Sequence, residues 1–374
     1  LSSLFRNHHE LRLMATPSNI IGAASSYLGE QLASAKQPFQ PIATDALKAP
    51  SWQNRTRKSL TVLVVGESAR AENFGLLGYG RDTTPQLRQQ DDLISFNNVS
   101  SCGTETAVSV PCMFSNMGRD GYKAEIAKNQ DSLLDVLKRA GLDVIWRDNQ
   151  AGCKGTCDRV TLEDVSNAKD AALCNSQECY DEILLKNLQS FINNLQHDTV
   201  LVLHQMGSHG PEYFKRVPKA FEKFTPVCTS NALNECSKEQ IVNAYDNTIL
   251  YTDHVLATLI DVLRNNEQKI DSGMLYIADH GESLGEYNLF LHGTPYMMAP
   301  EQQKHVGMFA WFSKGYQKSA GFDSQCLRGE RDKALSHDNL FHSMLGLLQV
   351  DTRAYNAGLD LFASCRQEAT LAQQ

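Results

Sequence analysis

The sequence lacks several features that would otherwise indicate a class of function. It contains no run of basic residues and has a formal net charge of -8 over 374 residues. This argues against nucleic acid as a partner, because binding to a phosphate backbone needs clustered positive charge. There is no apolar run long enough to span a membrane, no signal peptide, no internal repeat and no low-complexity tract. Small molecules, lipids and proteins are left as candidate partners.

The length of the chain is sufficient for a substantial hydrophobic core, and we expect one large α/β domain rather than two smaller ones. The chain begins with Leu1 instead of methionine. We therefore expect a piece of a longer precursor whose export or anchoring segment lies outside this sequence. We predict a boundary at residue 58, with a helix and a proline-containing linker over 1–58 and the main domain over 59–374.

A candidate helix near the N-terminus carries one apolar stripe, formed by Ile20, Ile21, Ala24, Leu28 and Leu32. Such a helix could lie along a lipid interface or pack on the domain, and the sequence leaves both interpretations open. Pro38, Pro41 and Pro50 exclude a continuous helix beyond it. We predict an extended connector there.

Two apolar runs end in polar side chains. The runs at 61–65 (TVLVV) and 274–277 (MLYI) favour strands that are buried on both faces, as in a parallel sheet. Glu67 follows the first run, and Asp279 and His280 follow the second. Because the carboxyl ends of parallel strands in an open α/β sheet meet at one edge, we expect these three side chains to lie together.

The remaining apolar patterns alternate between strands and helices. We predict strands over 142–147, 199–203 and 306–312, and helices over 131–140, 178–195, 237–265 and 338–348. The segment 281–300 is predicted to be a loop. This order predicts an α/β/α sandwich with a mainly parallel central sheet and helices on both sides.

The polar residues after the two strands are suited to a metal. Two carboxylates and one imidazole fit zinc or manganese, and three protein ligands leave one position open, as in catalytic zinc sites. The hydroxyl-rich turn 101–111 contains Thr106 and is predicted to lead into a helix. A hydroxyl bound to a divalent metal loses its proton more easily than a free alcohol, so we predict Thr106 as the nucleophile, although composition alone does not separate it from Thr104. The alternative is that Glu67 and Asp279 are ordinary turn and cap residues.

Ten cysteines are many for an α/β enzyme from a reducing cytosol. Their spacing favours five disulfides, which are Cys102–Cys112, Cys153–Cys157, Cys174–Cys179, Cys228–Cys236 and Cys326–Cys365. The alternative is a zinc site formed by Cys153, Cys157, Cys174 and Cys179, although these spacings are poor signatures of structural zinc. We therefore predict an oxidising compartment, either the bacterial periplasm or the outside of the cell.

Loop residues supply further candidates for the site. His209 lies in a glycine-containing loop after the strand predicted at 199–203, where no core would surround it, whereas His204 should complete that strand. Lys154 lies between Cys153 and Cys157, and a disulfide there could aim it at a phosphate. His292 lies in the predicted loop 281–300.

Five segments are long enough that together they are specific for one protein family. They are VVGESARAENFGLLGYGRDTTP, SCGTETAVSVPCMFS, HQMGSHGP, NAYDNTILYTD and ADHGESLGE. In order and spacing they resemble the lipid A phosphoethanolamine transferases, including the mobile colistin-resistance enzymes. The resemblance covers nearly the whole chain. It implies an alkaline phosphatase and sulfatase type of α/β/α fold, and a periplasmic catalytic domain that follows transmembrane helices in complete members.

The resemblance also implies roles for individual residues. The family's zinc ligands correspond to Glu67, Thr106, Asp279 and His280, and Thr106 matches the threonine that takes up phosphoethanolamine. The substrate-side residues correspond to Lys154, His209 and His292. One zinc ion is expected, and a second ion near His209 and His292 stays open. Which histidine protonates the leaving group also stays open.

The function implied is transfer of phosphoethanolamine from phosphatidylethanolamine to lipid A through a phosphoethanolamine-threonine intermediate, conferring polymyxin and colistin resistance. We expect a monomer attached to the bacterial inner membrane by an N-terminal transmembrane region outside this sequence. One alternative is a phosphodiesterase or sulfatase-like hydrolase of the same fold, but a sulfatase would need Cys or Ser in place of Thr106. Another is a non-catalytic lectin-like or scaffolding module, which should have lost at least one predicted ligand.

Overall fold

The computed structural model describes residues 38–53 and 55–366. The predicted N-terminal helix lies outside these residues. The strands are β1 Leu47–Lys48, β2 Ser59–Gly66, β3 Ile94–Phe96, β4 Val99–Ser100, β5 Asp143–Asp148, β6 Thr161–Asp164, β7 Thr199–His204, β8 Asp271–Ala278, β9 Ser283–Leu284, β10 Phe290–Leu291, β11 Met308–Phe312, β12 Leu335–Ser336 and β13 Val350–Asp351.

The α-helices are connected by loops and short 3₁₀ turns. They are α1 Pro50–Gln53, α2 Thr106–Met113, α3 Gly118–Gly121, α4 Ala124–Ala127, α5 Leu133–Arg139, α6 Leu188–Asn193, α7 Lys238–Arg264, α8 Lys314–Ala320, α9 Ser324–Gly329 and α10 Asp338–Leu347. Within the described ranges, no helix combines the length and apolar character needed to cross a membrane.

Seven of the described strands form the central sheet, in the order β3-β11-β8-β2-β7-β5-β6. Strands β8, β2, β7, β5 and β6 run parallel, whereas β11 is antiparallel to both of its neighbours. The prediction of a mainly parallel sheet is confirmed. The apolar pattern that predicted a strand at 306–312 contained no information about its direction.

The three central strands are buried along their whole length, since every residue of β2, β7 and β8 is buried. Alternate side chains of a strand point to opposite faces of the sheet. Both faces are therefore covered, which confirms the prediction made from the uninterrupted apolar runs.

The register of the parallel strands places their carboxyl ends at one edge. Gly66 at the end of β2 pairs with Ala278 at the end of β8, and His204 at the end of β7 pairs with Val65 and with Asp148. The residues that follow these strands therefore share one edge of the sheet, as in other open α/β folds.

Helix α7 supports the loop that follows β2. Its N-cap Ser237 and Gln240 form a capping box, which explains why the predicted start of the helix is correct. The hydroxyl of Tyr245, on the buried face of α7, donates a 2.6 Å hydrogen bond to the carbonyl oxygen of Ser68 and accepts a 3.0 Å bond from the backbone N–H of Arg70. The buried face of α7 thus fixes the backbone beside Glu67.

Two predictions about secondary structure are wrong in detail. The segment 178–195 is not one helix, because a 3₁₀ turn over Asp181–Leu185 and α6 are separated by Asn187, which has the left-handed φ of 61°. Asparagine adopts this conformation more readily than most residues. The segment 281–300 is not only a loop, because β9 and β10 pair within it as an antiparallel hairpin.

Part of the predicted connector packs on the domain. Strand β1 pairs with β13 in antiparallel orientation, and Trp52 in α1 is buried. The division at residue 58 stays a prediction.

The five predicted disulfides are all present, and the structure has no free cysteine among its described residues. Cys153, Cys157, Cys174 and Cys179 are therefore committed to two local disulfides, which excludes the alternative zinc site. The Cys153–Cys157 bond closes the loop that carries Lys154.

Candidate metal centre

Glu67, Asp279 and His280 lie together at the carboxyl edge of the sheet. Each offers one ligand atom within 4.8 Å of the others, and all three side chains are fully buried. The Nε2 atom of His280 lies 3.4 Å from Oε1 of Glu67 and 3.5 Å from Oδ2 of Asp279. Among the residues that the structure describes, this is the one group of three metal-binding side chains found. The predicted proximity is confirmed.

Thr106 lies against this cluster. It is the first residue of α2, and its Oγ1 donates a 2.9 Å hydrogen bond to Oε2 of Glu67. The same hydroxyl is 3.4 Å from Nε2 of His280. The start of a helix favours negative charge because unpaired backbone N–H groups point outward there. A hydroxyl at this position is suited to develop negative charge.

The donor atoms of the cluster fit a divalent cation. Nδ1 of His280 donates a 2.8 Å hydrogen bond to the carbonyl oxygen of Gly281, so Nε2 is the ring atom that faces Glu67 and Asp279. Oδ1 of Asp279 accepts hydrogen bonds from the backbone N–H groups of Ser68 and His280. Its Oδ2 is buried and has no hydrogen-bond partner among the described residues. A buried carboxylate oxygen without a partner is costly, and a bound cation would compensate that cost.

The two carboxylates of the cluster influence each other. Burial raises the pKa of Asp279 to about 6, and the neighbouring charge of Glu67 adds to the effect. Burial alone would also raise the pKa of Glu67, but the nearby imidazoles, His280 foremost, outweigh it and hold that pKa well below its usual range. Two close carboxylates in a buried site repel each other, and this again favours a positive ion between them.

Ser68 and Gln150 hold the carboxylate of Glu67. The Ser68 hydroxyl donates a 2.6 Å hydrogen bond to Oε1, and Nε2 of Gln150 donates a 2.8 Å bond to Oε2. Ser68 has the left-handed φ of 55°, a strained conformation for serine that points to a specific local requirement. The sequence analysis missed both residues. Gln150 follows the strand predicted at 142–147, so its place at the same sheet edge was the available signal.

Glu282 and His292 form a pair beside the cluster. Nδ1 of His292 lies 3.1 Å from Oε2 of Glu282, whose side chain is fully buried. Burial alone would lower the pKa of His292, but the charge of Glu282 outweighs it and raises that pKa to about 9. The His292 ring centroid is 4.4 Å from that of His280. Glu282 was missed, although it lies only two residues after His280.

His209 extends this group of imidazoles. Its ring centroid is 5.8 Å from that of His292. Burial lowers the pKa of His209, and its Nδ1 has no hydrogen-bond partner among the described residues. Its carbonyl oxygen accepts a 2.8 Å bond from Nε of Arg216, which fixes the loop. The structure thus brings His209 and His292 together with the predicted ligands.

Lys154 lies apart from the hydrogen-bonded cluster. Its ammonium group donates a 2.8 Å hydrogen bond to the carbonyl oxygen of Ala151, and its backbone has a positive φ of 53°. With Ala107, the neighbour of Thr106, it lines a groove at the surface. Its role as a substrate-side residue stays a prediction.

Known proteins match this chain in sequence and fold. A family model described as Sulfatase matches residues 59–350. The phosphoethanolamine transferase EptA of Escherichia coli strain K12 is 48% identical over 367 residues, covering 98% of this chain and 67% of that protein. The chain belongs to the phosphoethanolamine transferases of the sulfatase family. The family resemblance seen in the sequence is confirmed, and the protein is an enzyme with an alkaline phosphatase and sulfatase type of fold.

Further relatives show how this transferase domain compares with longer proteins. The phosphatidylethanolamine transferase Mcr-1 of Escherichia coli is 40% identical, with coverage of 93% of this chain and 64% of that protein. The integral membrane lipooligosaccharide phosphoethanolamine transferase A from Neisseria meningitidis has a TM-score of 0.89 and 40% identity, covering 98% of this chain and 68% of that structure. The chain thus spans about two thirds of the length of these relatives.

A zinc complex is known for a more distant relative. The C-terminal periplasmic domain of EcEptC from Escherichia coli, solved in complex with zinc, has a TM-score of 0.70 and 23% identity, with coverage of 87% and 90% of the two chains. At this identity the comparison shows a shared fold. Whether this chain binds zinc depends on its own donor atoms, and those described above suit it.

Proposed function

We propose that this chain transfers phosphoethanolamine from phosphatidylethanolamine to a phosphate of lipid A, with Thr106 as the nucleophile. The observation that carries the proposal is the position of Oγ1 of Thr106, 2.9 Å from Glu67 and 3.4 Å from His280, beside the unpartnered Oδ2 of Asp279. The names of the relatives support the transferred group. The expected consequence for the cell is resistance to polymyxins such as colistin.

Zinc is the proposed cofactor, held by Glu67, Thr106, Asp279 and His280. When bound, zinc would lower the pKa of the Thr106 hydroxyl and offset negative charge on the phosphoryl oxygens. The mixed oxygen and nitrogen donors and the buried, unpartnered oxygen of Asp279 support this choice over magnesium, which prefers oxygen ligands and retained water. A second ion near His209 and His292 stays a prediction.

The proposed reaction has two steps. Oγ1 of Thr106 forms a bond to phosphorus while the bond from phosphorus to the glycerol oxygen breaks, which leaves phosphoethanolamine on Thr106. The hydroxyl proton of Thr106 would be lost to solvent once a bound metal lowers its pKa, and the departing glycerol oxygen takes up a proton, so that diacylglycerol leaves. A phosphate oxygen of lipid A next attacks the same phosphorus, and the bond to Oγ1 of Thr106 breaks. Both steps need charge stabilisation at the phosphoryl oxygens.

The histidines beside the cluster are proposed to serve the leaving group. Glu282 engages Nδ1 of His292, which leaves Nε2 of that ring for the departing glycerol oxygen. His209 lies beside His292 and completes the substrate side of the site. Lys154 is proposed to contact the donor phosphate from its disulfide-closed loop.

The setting of the domain follows from the same proposal. The five disulfides suit an oxidising compartment, and the solved relatives include an integral membrane protein and a periplasmic domain. We propose that the chain acts in the periplasm as part of an inner-membrane protein.

Intact-protein mass spectrometry tests the proposal. The chain is incubated with phosphatidylethanolamine and zinc, and we expect a phosphoethanolamine adduct that Thr106→Ala lacks and that added lipid A discharges. Removing the nucleophile should cost several powers of ten in rate, about 4 kcal/mol or more. An adduct that persists in Thr106→Ala would remove Thr106 from its role, and water-driven discharge without lipid A modification would favour a hydrolase.

Metal analysis tests the ligand set separately. Glu67→Ala and Asp279→Ala are each dialysed against zinc and then against buffer before their metal content is measured. We expect both variants to lose zinc that the unmodified chain retains. Full retention of zinc would contradict the ligand assignment even if Thr106 proved essential.

A further inference from the structure

A groove on the surface has Ala107, the neighbour of Thr106 in the chain, in its lining and offers about 60 Å³ of interior space. We propose that this groove, lined among others by Ala107, Pro111, Tyr122, Ala124, Thr156 and Lys154 and called here the α2 groove, holds the glycerol ester and the first carbons of one acyl chain of the phospholipid donor. The inference rests on the proposed function and adds a binding site for the part of the donor that does not react.

The lining of the α2 groove starts one residue after the proposed nucleophile. Ala107 directly follows Thr106 and is exposed, and Pro111 lies four residues further along the helix. Residues four apart share one face of a helix. An apolar wall therefore starts next to the nucleophile and runs along α2. Tyr122 and Ala124 supply apolar surface from the segment that follows.

Several polar groups of the groove lining already have partners in the protein. Ser115 donates a 2.9 Å hydrogen bond to the carbonyl oxygen of Cys112, Ser132 bonds to the carbonyl oxygen of Thr156 at the same distance, and Asp131 pairs with Arg139 at 2.6 Å. These groups need no further partner from a ligand. A hydroxyl-rich sugar would find few unpaired partners here, whereas a hydrocarbon chain needs none.

One polar atom in the groove lining has no such partner. Oγ1 of Thr156 is buried and without a hydrogen-bond partner among the described residues. A hydroxyl is a donor as well as an acceptor. The ester carbonyl that joins an acyl chain to glycerol is an acceptor of the required kind.

The positive charge in the groove suits the anionic phosphodiester of the phospholipid donor. Arg159 lines the groove, but it forms an ion pair with Asp135 at 2.6 Å. Lys154 donates its hydrogen bond to a neutral carbonyl oxygen, and this bond does not cancel the positive charge of Lys154. A glycerophospholipid combines an anionic phosphodiester with an apolar tail. The groove combines a cation with apolar walls.

The test compares three soluble donors with the zinc-loaded chain. These are glycerophosphoethanolamine, which has no acyl chain, and dibutanoyl and dihexanoyl phosphatidylethanolamine, both used below the concentration at which they form micelles. We expect kcat/KM of the unmodified chain to rise at least tenfold from the first donor to the last. Ala124→Trp, which fills the groove from an exposed position, should reduce this rise to less than threefold through KM, while the rate with glycerophosphoethanolamine stays unchanged.

A matched variant controls for the added indole. Ala220→Trp places the same side chain at another exposed alanine outside the groove, and we expect it to keep the full dependence on acyl length. If Ala124→Trp kept that dependence too, or raised only KM for lipid A, the donor assignment would be overturned. Failure of the proposed function itself is distinguishable, because the unmodified chain would then transfer phosphoethanolamine from none of the donors.

A photoreactive donor gives an independent readout. Phosphatidylethanolamine with a diazirine in one acyl chain is irradiated with the chain, and the labelled peptides are identified by mass spectrometry. We expect label within residues 107–127 and competition by unlabelled donor. Label confined to other segments would overturn the proposal.

Discussion

Gln150 donates a 2.8 Å hydrogen bond from Nε2 to Oε2 of Glu67, across 83 residues of sequence. The same oxygen accepts the hydrogen bond of Thr106. Residues that orient metal ligands typically contribute a factor of about 10 to 100 in metal affinity. We expect Gln150→Leu to weaken zinc binding by about that factor in a chelator competition. The exposed Gln177, changed to Leu, is the control, and equal affinities of the two variants would contradict the role of Gln150.

Tyr245 supports the metal site from α7. Tyr245→Phe would leave the buried carbonyl of Ser68 and the N–H of Arg70 each without this partner. An unsatisfied buried polar group costs about 1 to 3 kcal/mol, so we expect a decrease of that size in the free energy of unfolding. Urea denaturation measures it. Tyr287→Phe, at an exposed tyrosine, should change stability little; a similar loss in both variants would refute the role assigned to the Tyr245 hydroxyl.

Gly207 has to be glycine for two reasons. Its φ is +52°, and a Cβ there would lie 2.8 Å from the carbonyl oxygen and 3.0 Å from the backbone nitrogen of Glu67. We expect Gly207→Ala to lose roughly 2 to 4 kcal/mol of stability and to displace Glu67, since the strain and the clash add. Chemical denaturation and zinc titration measure the two effects. Gly80→Ala is the control because a Cβ at Gly80 meets no atom within 4 Å. If Gly207→Ala bound zinc as tightly as the unmodified chain, the expected displacement of Glu67 would be contradicted.

His337 is expected to make stability depend on pH. Burial lowers its pKa from 6.5 to about 4, so between these values the unfolded chain binds a proton at this residue that the folded chain does not. The unfolding free energy should therefore fall as pH decreases from about 6.5 to 4, by up to about 3 kcal/mol from this residue.

The measurement for His337 is urea denaturation at pH 7 and pH 4.5 with a chelator present, so that metal binding does not contribute. We expect His337→Gln to lose less stability between the two pH values than the unmodified chain. His197→Gln, at an exposed histidine, is the control. An unchanged pH dependence in His337→Gln would show that this residue does not supply the effect.

The parts of the fold that could be predicted are those set by local chemistry. Uninterrupted apolar runs identified the buried strands, and apolar residues at helical spacing identified α7, which begins at its N-cap Ser237. Helix 178–195 was predicted wrongly, because apolar spacing does not reveal a left-handed residue such as Asn187. The direction of β11 also could not be predicted, since antiparallel and parallel buried strands have the same apolar pattern.

The residues of the candidate site also divide into those that the sequence could predict and those that it could not. Glu67, Asp279 and His280 could be predicted to meet, because each directly follows a buried parallel strand. Gln150 and Glu282 were missed, because their roles depend on which atoms they face across the site. Gln150 touches Glu67 and Glu282 touches His292. Such contacts depend on side-chain orientation, which sequence spacing does not fix.

By itself, the sequence determined which residues end the strands and which cysteines lie near one another along the chain, because these follow from the order of residues in short stretches. Only the tertiary structure decided that Oδ2 of Asp279 has no hydrogen-bond partner among the described residues, that Glu282 engages His292, and that Ala107 and Lys154 line one groove. The physical reason is that each of these features depends on the distances between atoms that many intervening residues separate in the chain.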